Sequence, residues 1–125
     1  MTFFSVITFA LLLFQADPLL QTIKADSTYR IYLDSQIKIK NGMRTKYFIL
    51  PTNFVQLAQS KLKSGDIELW NKVLQEEGML NSEEFVKLYF LQWKSMLKII
   101  SKYSTQIEKL PPEQKVKLLI ELNSY

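Results

Sequence analysis

Residues 29–50 constrain the fold most, because polar and apolar side chains alternate along this stretch on both sides of an Asn-Gly pair. Alternation with a period of two is typical of a strand that has one buried face and one face in water. Asn-Gly is a strong signal for a tight turn between two strands. The stretch therefore predicts a long two-stranded antiparallel hairpin over about residues 29–50.

The length of the hairpin loop decides which side chains share a face. A loop of three residues, with Gly42 at positive φ, pairs odd positions with odd positions and leaves one face apolar. The opposite face then collects basic and aromatic side chains, which makes it the candidate site for an anionic partner. Its predicted residues are Arg30, Tyr32, Lys38, Lys40, Arg44, Lys46 and Phe48.

Apolar residues at helical spacing predict about four helices after the hairpin, at residues 54–63, 67–77, 83–109 and 113–123. Asp66 is the expected N-cap of the second helix, and Gly78 is expected to end it in a left-handed conformation. The longest helix carries an a/d heptad stripe. We interpret this stripe as the seam of the protein's own core, with an intermolecular coiled coil as the alternative. The predicted fold class is α+β and mostly helical, with the hairpin packed on a small bundle.

The first 16 residues contain no charged side chain, and three interpretations of them stay open. They have the apolar stretch of a signal peptide but lack its basic start, and they are short for a transmembrane helix. They also suit a buried core element. We predict an apolar N-terminal segment with a polar connector over residues 1–25, followed by a single globular domain over residues 26–125.

Two absences from the composition exclude whole classes of chemistry. The 125-residue chain has no cysteine, so disulfides, thiolate metal sites and cysteine nucleophiles are impossible. It has no histidine, which removes the commonest general base and the commonest transition-metal ligand. We therefore predict a protein that is not an enzyme and that needs no metal or other cofactor.

The net charge of +4 is distributed unevenly along the chain. Residues 24–63 carry eight basic side chains against two acidic ones, whereas residues 64–84 carry one basic side chain against six acidic ones. A basic segment beside an acidic one can be neutralised within a fold or between protomers, so a phosphate backbone is not required as the partner.

These patterns favour a small interaction or accessory protein that binds an acidic partner or lipid headgroups through the basic face. The alternative is a soluble module that binds nucleic acid with the same basic and aromatic residues. The expected partner is another protein, with membrane contact through residues 3–14 as an option. The predicted location is the membrane, with the domain on its cytoplasmic side, or the cytoplasm; export stays open.

Overall fold

The computed structural model of the chain describes residues 16–62 and 65–123, and all regular structure in these ranges is helical. Seven helices follow one another there: α1 (Ala16–Ala25), α2 (Ser27–Arg44), α3 (Phe54–Ser60), α4 (Ile67–Glu76), α5 (Ser82–Lys102), α6 (Ser104–Glu108) and α7 (Pro112–Leu122). The described ranges contain no strand. The prediction of an α+β fold with a hairpin over residues 29–50 is therefore wrong.

Helix α2 occupies most of the stretch that was predicted to form the hairpin. Its buried positions are Tyr29, Tyr32, Ser35, Ile39 and Gly42. They are spaced by three or four residues, which is the period of one helical face and not of a strand. The odd-numbered positions are not buried together, since the odd-numbered Ile31 is exposed. Polar and apolar residues do alternate in this stretch, but the residues that are buried follow the helical spacing.

The Asn-Gly pair lies in the last turn of α2 and not in a hairpin loop. Gly42 does not have the predicted positive φ; Lys46 has it instead, at 62°, where the chain leaves the helix. The N–H of Phe48 then donates to the Gly42 carbonyl at 2.9 Å, and a Cβ at Gly42 would overlap the Phe48 ring. Glycine is therefore needed here because an aromatic ring approaches the helix backbone closely.

The helices after residue 53 lie close to their predicted positions. The Asp66 side chain caps α4 by accepting a hydrogen bond from the Leu69 N–H at 3.2 Å, and Gly78 has a φ of 85° beyond the end of that helix. Both of these predictions are confirmed. The predicted helix over residues 83–109 is divided at Tyr103 into α5 and α6. Pro112 lies in the first turn of α7, where its missing N–H costs nothing.

The chain divides into two compact units, Ile31–Ser95 and the pair of segments Met1–Arg30 and Met96–Tyr125. The first unit contains an aromatic core in which Phe85 lies close to the rings of Phe48, Phe54 and Tyr89. Trp70 stacks on Tyr89 at 5.6 Å between ring centroids. Burial of these large rings stabilises the unit.

The second unit is built around α1 and α7, which pack against each other. Its described buried residues include Ile23 on α1, Ile99 on α5, and Leu118 and Leu122 on α7. Residues 17–25, the polar connector of the predicted N-terminal segment, form most of α1. The predicted apolar segment before residue 16 lies outside the described residues, and the division into residues 1–25 and 26–125 stays a prediction.

The heptad stripe of the longest predicted helix is only partly buried. Val86, Tyr103 and Leu110 are buried, whereas Trp93 and Ile100 are each more than two-fifths exposed. The stripe is therefore not a continuous core seam.

Candidate functional site

The predicted basic residues lie on a helix and the turn that follows it. Lys38, Lys40 and Arg44 are exposed on α2, and Lys46 is exposed just beyond its end. We call these four residues the basic face; all belong to the unit Ile31–Ser95. Around the helix Lys40 and Arg44 lie about 40° apart and Lys38 lies about 120° from Arg44, so the cations are spread over the exposed side of α2 and do not form one row. Arg30 is also exposed on α2 but belongs to the other unit. The exposed acid Asp34 lies between these cations in the sequence, so the surface is basic without being uniformly so.

The two aromatic residues of the predicted site are not on this surface. Tyr32 and Phe48 are each only 3% exposed. The ring of Phe48 contacts Gly42 and lies 5.5 Å from the Phe85 ring, centroid to centroid. Tyr32 is buried because the helix rotates successive positions by about 100° instead of alternating them. Phe48 is buried because the turn after α2 places its ring over Gly42. The structure thus separates the cations from the aromatics that were predicted to work with them.

A second surface, which the sequence did not reveal, lies between the loop after α2 and the turn before α5. Two open hollows of about 660 and 300 Å³ share Gly78, Met79 and Leu80 in their walls. Leu80 is 78% exposed, and Ile49 in the smaller hollow is also largely exposed. We call this surface the Leu80 groove. Lys46 lines it, so the basic face and the groove adjoin.

Hydrogen bonds fix the loop and the turn that form the Leu80 groove. The Tyr47 hydroxyl donates to Glu84 at 2.6 Å, and the Asn81 side-chain amide donates to the Tyr47 carbonyl at 3.0 Å. The hydrogen bond to Glu84, together with partial desolvation, raises the pKa of Tyr47 above its ordinary value. The phenol therefore stays protonated at neutral pH and acts as a donor that holds the loop in place.

A compact ionic cluster lies in the other unit, where α1 ends and α2 begins. Asp26 caps α2 by accepting a hydrogen bond from the Thr28 N–H at 2.9 Å. Its second carboxylate oxygen accepts hydrogen bonds from Lys102 Nζ at 2.7 Å and from the Tyr103 hydroxyl at 2.6 Å. The cluster thus connects the start of α2 to the junction of α5 and α6.

Each ionisable group of this cluster is held in its ordinary protonation state. The hydrogen bonds from Lys102, Tyr103 and Thr28 hold the pKa of Asp26 well below its usual range. The hydrogen bond to Asp26 raises the pKa values of both Lys102 and Tyr103. At neutral pH the cluster is an anion held by a cation and two neutral donors, which suits a structural cross-link better than proton transfer.

The lowered pKa of Asp26 predicts a specific pH dependence of stability. Because the folded-state pKa lies below the ordinary value of 3.8, the ionised cluster stabilises the fold above that pH. This contribution is lost as the pH falls below about 4. We expect Asp26→Asn to lower the melting temperature at neutral pH, measured by circular dichroism. Below about pH 4, the melting temperature of this variant should depend less steeply on pH than that of the wild type. The control is Glu108→Gln in the same unit. If the melting temperatures of Asp26→Asn and the wild type change with pH in the same way, the cluster does not stabilise the fold.

The described residues offer neither a cluster of acids for a metal ion nor a helix suited to span a membrane. None of these residues forms a cluster of three or more acids that could hold a metal ion. No helix within residues 16–62 and 65–123 combines the length and the apolar character that crossing a membrane requires. The carboxylates near the α4–α5 turn, including Glu76 and Glu84, are exposed, and Glu84 accepts the hydrogen bond from Tyr47.

The sequence matches no known protein-family model, and no curated protein or solved structure is similar to it. Function is therefore inferred from the chemistry of the described side chains.

Proposed function

We propose that this is a small, non-enzymatic interaction protein that binds an acidic protein partner through the basic face of α2. The observation that carries the proposal is the exposure of Lys38, Lys40, Arg44 and Lys46 on and directly after one helix. A rigid helix that presents several cations is suited to steer and orient an acidic surface.

The inner side of α2 supports the proposal because it fixes the cations in place. Ile39 is part of the aromatic core, and the Phe48 ring closes over Gly42 at the end of the helix. A helix anchored at these two points loses less freedom when its outer side chains bind a partner, which lowers the cost of association.

Nucleic acid is the weaker candidate for this surface. Single-stranded nucleic acids are bound chiefly by stacking of bases on exposed aromatic rings between cations. Tyr32 and Phe48 are buried, so neither ring is available for stacking in the described conformation. No specific observation on α2 favours nucleic acid over an acidic protein.

The test uses a fluorescently labelled polyglutamate peptide as the probe and anisotropy as the readout. We expect Lys38→Gln/Lys40→Gln/Arg44→Gln to weaken binding roughly tenfold, because exposed ion pairs contribute up to about 1 kcal/mol each. Binding by the wild type should weaken as salt is added. Substitution of these exposed side chains should leave the melting temperature nearly unchanged.

The control variant removes the same number of charges from other positions in the same unit. Lys61, Lys72 and Lys87 are exposed there, and their joint replacement by Gln lowers the net charge equally. The proposal requires the control to bind polyglutamate nearly as well as the wild type. Equal losses in both variants would mean that net charge and not the basic face is responsible, and tighter binding to a single-stranded oligonucleotide would favour the nucleic-acid alternative.

A further inference from the structure

The two walls of the Leu80 groove each present one apolar and one charged side chain to water. The smaller hollow of the groove is formed by the loop that follows α2 and by the turn that follows α4. The loop wall carries Ile49, which is largely exposed, and the exposed Lys46. The turn wall carries Leu80, which is also largely exposed, and the exposed Glu77. The walls are therefore alike in their apolar side chains and opposite in their charges.

The fold leaves both of these charges without an ionic partner. Within the part of the chain that the structure describes, the side chains of Lys46 and Glu77 form no ion pair and no hydrogen bond. The other charged side chains of the groove are occupied. Glu83 pairs with Lys87 at 3.0 Å, and Glu84 accepts the hydrogen bond that fixes the loop. Lys46 and Glu77 are therefore the two charges that the groove offers to a partner.

Both charges also occupy positions that are unfavourable in the single chain. Lys46 has a φ of 62°, in the left-handed region that costs energy for any residue with a Cβ. Glu77 lies at the C-terminal end of α4, where the helix dipole disfavours an acid and the last turn has no basic side chain. Unfavourable backbone conformations are frequent at binding surfaces. A cation from a partner, placed opposite Glu77, would offset its unfavourable interaction with the end of the helix.

We propose that the Leu80 groove is the contact surface of a twofold-symmetric dimer of this chain. A twofold axis that runs between the two walls places each wall opposite the other wall of the second copy. Lys46 of each copy then faces Glu77 of the other, and Ile49 faces Leu80, so each contact is formed twice. The inference goes beyond the proposed function, because Lys46 alone of the basic face lines the groove.

The charge pattern of the groove favours a second copy over other occupants. An acidic protein or a surface of phosphates would meet Glu77 as well as Lys46, and a strongly basic partner would meet Lys46, so like charges would face each other in both cases. The two available charges cancel, so no partner of a single sign is attracted. Another copy of the chain supplies a counter-charge for Lys46 and for Glu77, and an apolar contact for each wall.

Charge reversal tests this pairing in the full-length chain, with sedimentation equilibrium as the readout. Lys46→Glu and Glu77→Lys should each weaken dimerisation roughly tenfold or more, because each replaces two attractive pairs by two repulsive ones. The double variant Lys46→Glu/Glu77→Lys restores opposite charges and should dimerise to within about threefold of the wild type. A mixture of the two single variants should form a heterodimer, because both charge pairs are again opposite in sign when one copy of each variant meets.

The control variants Lys61→Glu and Glu68→Lys reverse one exposed charge of each sign elsewhere in the same unit and should dimerise like the wild type. An equal loss in the controls would mean that net charge and not the groove is responsible. An association that no reversal at Lys46 or Glu77 changes would place the contact elsewhere, for instance in residues 1–15, and would overturn the proposal. A wild type that stays monomeric up to about 1 mM, or single variants that stay monomeric when mixed, would overturn it as well.

Discussion

Replacement of Phe85 by Ala should lower the free energy of unfolding by about 3–5 kcal/mol. Phe85 is almost completely buried, and its ring centroid lies 5.5 Å from that of Phe48, 6.1 Å from that of Phe54 and 5.8 Å from that of Tyr89. Truncation removes these ring contacts and leaves a cavity that several aromatic side chains cannot fill without leaving their rotamers. Urea denaturation followed by tryptophan fluorescence measures the loss, since Trp70 lies in the same core.

The matched control for this prediction is Leu80→Ala, because Leu80 is a large apolar residue of the same unit that lies mostly in water. Its replacement should change the free energy of unfolding by no more than about 0.5 kcal/mol. If both substitutions cost the same, the aromatic cluster would not be the core of the unit Ile31–Ser95.

The effect of Gly42→Ala on stability should change sign when Phe48 is replaced by Ala. In the wild type, Gly42→Ala adds a Cβ that overlaps the Phe48 ring, so we expect a loss of stability of about 1–3 kcal/mol. Phe48→Ala alone should cost about 3–5 kcal/mol because Phe48 is buried in the aromatic core. In the Phe48→Ala background the space is open, and Gly42→Ala should stabilise α2 by up to about 1 kcal/mol through its higher helix propensity.

Urea denaturation of the wild type, the two single variants and the double variant gives the coupling energy. The structure requires a strongly favourable coupling, in which the double variant is more stable than Phe48→Ala alone. Additive effects would mean that Phe48 does not lie over Gly42. A hairpin with Gly42 at positive φ would behave differently, because there alanine would be strained whether or not Phe48 is present.

The helices after residue 53 could be predicted because several independent local signals agree there. Asp66 as N-cap, Gly78 beyond the end of α4 and Pro112 in the first turn of α7 each mark a boundary that the structure reproduces to within a few residues. These local signals do not predict the break at Tyr103. The Tyr103 hydroxyl donates a hydrogen bond to Asp26, which lies 77 positions earlier in the sequence. A contact of that separation depends on the tertiary fold.

The stretch over residues 29–50 was mispredicted because it satisfies two periods at once. Tyr29 and Ile39 suit both the odd face of a strand and the buried face of a helix, so only the positions between them can decide. Tyr32 and Ile31 are decisive, because the structure buries the even-numbered Tyr32 and exposes the odd-numbered Ile31. A tyrosine is only a weak signal of burial in a sequence. The Asn-Gly pair lies in the last turn of α2, where Gly42 leaves room for the Phe48 ring.

The exposure of the basic residues could be predicted from the sequence, whereas the positions of the aromatic residues could not. Lysine and arginine are almost always exposed, so Lys38, Lys40 and Arg44 lie in water in either a hairpin or a helix. Tyr32 is buried and not on the predicted surface because the stretch has the helical period, and Phe48 is buried because the turn at Lys46 places its ring over Gly42. The Leu80 groove depends on how a loop and a turn meet, for which the sequence has no periodic signal.

The most direct test of the account is an NMR measurement on the isotopically labelled full-length chain, directed at residues 27–50. If α2 is a helix that holds its cations outside and its aromatics inside, residues 27–44 will show helical Cα shifts and sequential amide contacts. The Phe48 ring protons will then show nuclear Overhauser contacts to Gly42 and to Phe85. Extended Cα shifts, with cross-strand contacts between Ile39 and Met43, would contradict the account and restore the hairpin.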